Sequence, residues 1–444
     1  MKIPFSSREQ GKVILLCLFT MIAVGVVLVS YLSLGSSHSV MTARSQAWNI
    51  ALPVAEAGLE EGLTQLNYTH GNKLNSNDWI KVTGGGKGSS KGKTGDYFKT
   101  RAISTDAYYE VYITEGGKKP NVTAIGYARA PLTTNFIERT IVAGLQKTNV
   151  IFTKAMIARK HIRAGKTSLV DSFDSSSSKY STSGKYDPAK RKATASVAAT
   201  SNKKNAIKID NSKFYGDASV LKNGNLEFKN KGTLGDAAWV DAGNIAAQSG
   251  KVNAGFTYDF PVVLEPWPAG TGTAPTAGAK YGGVDNQYLL DTGNYELSGS
   301  ITLSKALIVK TNATATLYLR GDFKASDDII ISKGATLKIY MNGHKFEIND
   351  KDVKVNDADA SQFQYYGMPS NKEIKMKKKG GVEFHGVVYA PNAKIKIEGG
   401  NDFIGSVVGK CIHMKHDGQF HFDEGIWGKD NDYDMYKVAS WTEQ

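Results

Sequence analysis

Cysteine is nearly missing from this sequence. Its 444 residues contain two, Cys17 and Cys411, at opposite ends of the chain. That excludes a disulfide-stapled scaffold, so the chain must fold on its buried cores. Proline is scarce at 11 residues against 46 glycines, a balance that suits many short strands joined by turns. Acidic residues fall short of basic ones, 42 against 55, for a net charge of +13. The excess is local, because residues 150–213 carry 14 Lys or Arg against four Asp. Such a segment suits an acidic partner or a solvated face. Length alone calls for at least two domains.

Long hydrophobic runs are lacking too, with one exception. Val13 to Leu34 reads VILLCLFTMIAVGVVLVSYLSL, 22 residues without a charge. As a helix it is ~33 Å long, enough to cross a bilayer core of ~30 Å. It exceeds the ~7–15 residue apolar core of a cleaved signal, although Ser33-Leu34-Gly35 offers a cleavage site of the small-x-small kind. Lys2, Arg8 and Lys12 precede the run and Arg44 is the first basic residue after it. The positive-inside rule therefore keeps residues 1–12 in the cytoplasm and sends the C-terminal bulk out. The expected location is a bacterial cytoplasmic membrane, crossed once, with the cell surface or a pilus as the destination beyond it.

Behind the span, residues 45–66 place Ala47, Ile50, Ala51, Val54, Ala55, Gly58, Leu59, Gly62, Leu63 and Leu66 at three- and four-residue spacing. This is one apolar stripe of a helix, with Glu56, Glu60, Glu61 and Gln65 off it. Span and stripe read as a single rod of ~84 Å. A Gly-rich tether follows, then three alternating runs at 107–115, 121–130 and 135–147 that read as an antiparallel meander. Two segments resemble PilX-type minor pilins: the basic-Gly-apolar start (Arg8, Gly11, Val13 onward) and AEAGLEEGLTQL (Ala55–Leu66). The resemblance covers about residues 8–148. It implies cleavage by a prepilin peptidase between Gly11 and Lys12, and association with other pilin-like subunits and their assembly machinery. Leu16 would be the fifth mature residue, where major pilins carry a glutamate, so the resemblance points to a minor subunit or a tip pseudopilin.

The remaining two thirds holds an internal repeat. FYGDASV (from Phe214) and TLGDAAWV (from Thr233) are 19 residues apart, as are FHGVV (from Phe384) and FIGSVV (from Phe403). Short strand-like segments with Gly, Asn or Asp at their ends lie between. A period near 20 with strands and turns predicts a β-solenoid, with a β-sandwich as the alternative. Two stretches, 172–187 and the Pro/Gly-rich 262–283, read as excursions from it. Residues 389–426 and SLVDSFDS (168–175) resemble an uncharacterised domain found on similar pilin-like proteins, through Tyr389-Ala390-Pro391, Gly405-Ser406-Val407-Val408 and Phe420–Glu424. The expected division is a leader (1–12), span (13–34), amphipathic helix (35–67), linker and small sheet (68–148), solenoid (149–428) and C-terminal tail (429–444).

Motifs for chemistry are thin. GGGKGSSKGKTG (84–95) imitates a phosphate-binding loop, but Lys87 stands where its first glycine belongs. Asp430, Asp432 and Asp434, like Asp357, Asp359 and Ser361, copy the start of a calcium loop without its glycine or its final glutamate. His413, His416, His421, Asp423 and Glu424 form the densest set of metal-ligand types. They read best as a polar cap on the core, of which His421 and Asp423 are expected to be replaceable together by Asn without loss of fold. No catalytic residue, cofactor or metal is expected. The sequence therefore predicts a mainly β, non-catalytic pilin-like membrane protein that displays a solenoid as a tip, adhesive or scaffold module. Its expected partners are the membrane, pilin-like subunits and an anionic surface polysaccharide, with no specific nucleic acid. The alternative is a surface-anchored protein that binds or cleaves glycans.

Overall fold

The computed structural model describes residues 7–69, 74–82, 94–114, 120–131, 135–148, 151–348, 353–356, 359–376, 381–427 and 435–443. The chain forms two compact units: Met1–Thr148 with Asp434–Gln444, and Asn149–Tyr433. It is mainly β, with one long helix near the N-terminus.

That helix runs unbroken from Ser7 to Thr69, 63 residues. Val13 to Leu34 touch nothing and are exposed throughout. From Ala43 on, the helix seats on a six-stranded sheet. Ala47, Ala51, Val54, Ala55, Gly58, Gly62 and Leu66 are buried as the stripe predicted, whereas Ile50 is half exposed. Small residues allow the close contact: a Cβ on Gly126 of the sheet would lie 2.1 Å from the Ala51 carbonyl oxygen. Gln65 is not off the stripe but buried. Its amide donates to the carbonyls of Leu74 (3.1 Å) and Ser76 (3.0 Å), tying down the chain that leaves the helix.

The sheet is antiparallel, in the order Ile80–Lys81, Tyr97–Ser104, Ala107–Ile113, Asn121–Arg129, Phe136–Thr148 and Met435–Glu443. The central three strands match the predicted runs. Tyr97–Ser104 falls in what read as linker, and the last strand corrects the C-terminal tail. Met435–Glu443 pairs with Phe136–Thr148, and Tyr436 is buried with its backbone N–H held by Asn67 Oδ1 at 2.6 Å. The large unit is thus inserted in sequence between two neighbouring strands of the small sheet.

The large unit is one 24-stranded sheet in which every strand pairing is parallel. Antiparallel sandwich packing is thereby excluded. Strands stack in three ladders. Thr314 pairs with Thr336, 22 residues on, and Ile301 pairs with Phe323 at the same offset. The interval is not constant. It falls to 13 between Thr233 and Ala246 and rises to 45 between Ile162 and Ile207. The 19-residue match of FHG with FIG is a true register, Phe384 on Phe403. The match of FYG with TLG is one residue out, since Phe214 pairs with Leu234. Inside, side chains of one type pile up: Phe384, Phe403 and Phe420 stack with ring centroids 4.7 and 4.9 Å apart.

The order of the stack is not the order of the chain. It starts with residues 286–303, advances to 402–423, and continues with 156–173 before ending at 226–254. Val407 pairs with Met156 and Phe420 with Val170, joining the last segment of the unit to its first. Residues 255–285 cover the distance between the two ends of the stack. On the way Tyr258 donates to the Ile151 carbonyl (3.0 Å), Tyr389 donates to the Pro261 carbonyl (2.8 Å) and Trp267 meets Tyr318 edge-on. This segment is the predicted Pro/Gly-rich excursion, and proline fits it because it forms no ladder.

Candidate functional site

The predicted histidine-carboxylate set does not converge. His421 and Asp423 alternate along the strand Gln419–Asp423, which lies on Leu169–Phe173. That register sets His421 beside Asp171, with Nδ1 to Oδ1 at 2.6 Å and both side chains buried. Tyr186 donates to the other carboxylate oxygen at 2.6 Å and stacks on the imidazole at 3.7 Å. Tyr186 belongs to the excursion predicted at 172–187, which here covers the sheet. Asp423 accepts from the backbone N–H of Ser175 (3.0 Å) and of Gly425 (2.9 Å), and burial raises its pKa above the ordinary carboxylate value. Glu424 pairs with Lys192 and accepts from Thr194. These are buried, interlocked contacts, and they argue against the expectation that His421 and Asp423 can be replaced freely. Leaving a buried hydrogen-bonding group without its partner costs ~1–3 kcal/mol.

His413 faces another way. It meets His161, Nε2 to Nε2 at 2.9 Å, and Cys411 Sγ lies 3.8 Å from the other nitrogen of His161. Cys411 and His413 therefore sit on opposite sides of the His161 ring and cannot share one ion. Burial lowers the pKa of His413 to about 3, aided by Lys394, and lowers that of His161, aided by Arg163. His416 occupies a left-handed turn with Asp417, whose carboxylate accepts from Thr167. Among the described residues no group of three or more His, Cys, Asp or Glu is placed to hold a metal ion. Asp430, Asp432, Asp434 and Asp357 lie outside the described residues, as does most of the phosphate-loop imitation at 84–95. Asp359 instead caps a short 3-10 turn through the Ser361 N–H at 2.9 Å. Gly11 and Lys12 lie within the long helix.

Sequence reading missed one carboxylate pair. Glu383 and Asp402 occupy neighbouring strands in register. Glu383 pairs with Lys354 at 3.4 Å, while burial raises the pKa of Asp402 and leaves its Oδ1 without a partner. It also missed His161, Asp171 and Tyr186. Their partners are up to 252 residues away in sequence, and only the parallel register unites them.

A family described as a domain of unknown function (DUF7305) matches residues 271–428. No curated protein matches the sequence. Among solved structures, the competence-associated pilin ComZ from Thermus thermophilus is 11% identical, with a TM-score of 0.27 over 89% of this chain and 96% of that one. A glycosylated ice-binding protein (LeIBP) from an Arctic yeast is 10% identical, with a TM-score of 0.26 over 64% of this chain and 100% of that one. Likenesses this distant carry no argument about function.

Proposed function

We propose that this chain is a non-catalytic, single-pass membrane protein of the pilin type, a minor subunit that displays a β-solenoid outside the cytoplasmic membrane. One observation carries the reading. A 63-residue helix leaves its uncharged Val13–Leu34 stretch bare and, from Ala43 on, seats on an antiparallel sheet. A bare face of that size is costly in water and at home in lipid or among like helices. It is the one described helix long and apolar enough to cross a membrane. The three parallel ladders support reading the displayed unit as a solenoid whose turns are stacked out of chain order. Cleavage between Gly11 and Lys12 would release the helix for filament assembly, and Leu16 in place of a glutamate suits a minor position. Protease added to spheroplasts is expected to digest everything beyond the Val13–Leu34 span. Protection of the large unit would overturn the topology.

A second reading, glycan cleavage, rests on Glu383 and Asp402, one ion-paired and one with a raised pKa. Two carboxylates in unlike environments on adjacent strands are what an acid-base pair requires. Release of reducing ends from an acidic polysaccharide, abolished by Asp402→Asn, would favour it over display.

A further inference from the structure

Several cations of the large unit are matched by carboxylates: Arg320 with Glu296 (2.6 Å), Lys310 with Asp291 (2.9 Å), Lys345 with Glu347 (2.8 Å), Lys354 with Glu383 (3.4 Å). At one corner in the middle of the stack others are not. The register of Lys394 on Cys411, Cys411 on His161, Ile162 on Ile207 and Ile207 on Leu226 fixes that corner on five successive turns. The residues at or just before it are Lys394, Lys410, Arg159 with Lys160, Lys203 with Lys204, and Lys222. None of these has an acidic partner within ion-pair distance among the described residues. Unbalanced charge is also felt locally, since Arg163, Lys394, Lys160 and Lys203 all add to the burial that holds His161 below its ordinary range.

Neighbouring strands lie ~4.8 Å apart, so five turns set this row over ~19 Å in a line across the strands. Within it, Arg159, Lys160, Arg163, Lys203 and Lys204 border an open groove of about 760 Å³. Uncharged lining comes from Thr200, Ser201, Asn202 and Asn205, which offer hydroxyl and amide groups. No tryptophan, tyrosine or phenylalanine lines it; the nearby Phe260 ring lies under the Arg159 guanidinium at 5.3 Å. A straight row one or two cations wide fits a single extended polyanion better than a broad duplex. The lack of a stacking platform disfavours single-stranded nucleic acid, which binds largely through its bases. Hydroxyl and amide donors beside the cations suit a chain of hydroxylated, carboxylated units.

We infer that this corner is a binding site for a linear acidic polysaccharide, held by Lys394, Lys410, Arg159, Lys160, Lys203 and Lys204 across consecutive turns. The inference rests on the register of the stack and is independent of the anchor and of filament assembly.

The test uses the full chain in detergent with polygalacturonate as probe, and double- and single-stranded DNA as competitors. Lys160→Glu with Lys203→Glu is compared with Lys305→Glu with Lys333→Glu, an equal charge change at exposed sites elsewhere on the stack. All four side chains are exposed, so thermal unfolding should match wild type and confirm that each variant folds. The expected result is polygalacturonate binding that weakens at least tenfold in the first variant, changes less than threefold in the second, and weakens as salt rises. Equal losses in both variants, or no binding by wild type, would overturn the site. DNA displacing polygalacturonate at lower concentration, with the same dependence on Lys160 and Lys203, would overturn the polysaccharide in favour of nucleic acid.

Discussion

The two units order their strands by opposite rules. In the small sheet the first five strands lie side by side in chain order. In the large sheet a strand's partner is usually a full turn away, and at the join of 402–423 with 156–173 it is about 250 positions away. The small unit nonetheless takes its sixth strand from the far end of the chain. Within the large unit, the out-of-order stack sets its first strand, Met156–Gly165, beside Asp402–Lys415 near the end of its chain. Had the stack been wound in chain order, residues 151 and 427 would lie at opposite ends of it. Non-local closure of this kind makes folding slow.

This difference can be broken at one residue in each unit. Gly405 has φ near +131°, and a Cβ there would lie 2.0 Å from the Gly386 carbonyl oxygen of the neighbouring strand. Gly405→Val combines a strained backbone with overpacking and is expected to destabilise the large unit by about 3–5 kcal/mol. Gly126→Val has no strained φ, only the clash with the helix backbone at Ala51 and Ala55, and should cost the small unit about 1–3 kcal/mol by lifting the helix from the sheet. Urea titration followed by hydrogen exchange would assign each loss to its unit. Equal loss across both units for either variant would mean they do not fold as separate bodies.

An effect smaller than that of Gly405→Val is expected from removing Met435–Glu443. The small sheet would lose the buried Tyr436 and its two hydrogen bonds to Asn67, about 2–4 kcal/mol. Exchange should rise along Phe136–Thr148 and stay unchanged along the Phe384, Phe403 and Phe420 stack. If the large unit loosened as well, the last strand would do more than close the small sheet.

The least of these effects is a pH dependence confined to the large unit. The unfolded chain protonates His413 near pH 6.5, whereas the folded chain does so only near 3. Its contribution is present above pH 6.5 and is lost as the pH falls toward 3, by at most about 1.4 kcal/mol per unit and less because the ring is partly exposed. Burial raises the pKa of Asp402 and Asp423, which pull in the opposite sense. The informative quantity is therefore the difference between wild type and His413→Gln. A wild-type curve that falls no faster than the variant's would show that His413 is not held neutral.

What could be read from the sequence followed the same division. Periodicities confined to a few residues were legible, because helix and strand faces are fixed by local geometry. The span, the Ala47–Leu66 stripe and the central three strands belong to this class. Tyr97–Ser104 was missed because it follows a Gly-rich stretch. Met435–Glu443 was missed because its partner is the width of the large unit away in sequence. A period near 20 was visible in the Phe-x-Gly corners, yet variable turn lengths put FYG and TLG one residue out of register. The histidine set misled most. Closeness in sequence made His413, His416 and His421 a group, but alternation along the strands sends His413 toward His161 and His421 toward Asp171.

The central claim, that this is a pilin-type subunit anchored by its first helix, is tested most directly by the mature N-terminus. Protein should be isolated from the membrane and from the sheared surface fraction of the same cells and sequenced from its first residue. The account predicts Lys12 in both fractions, the product of cleavage after Gly11. A chain beginning at Ser36 would instead identify a secreted solenoid, and one retaining Met1 a permanent anchor outside any filament; either result would contradict it.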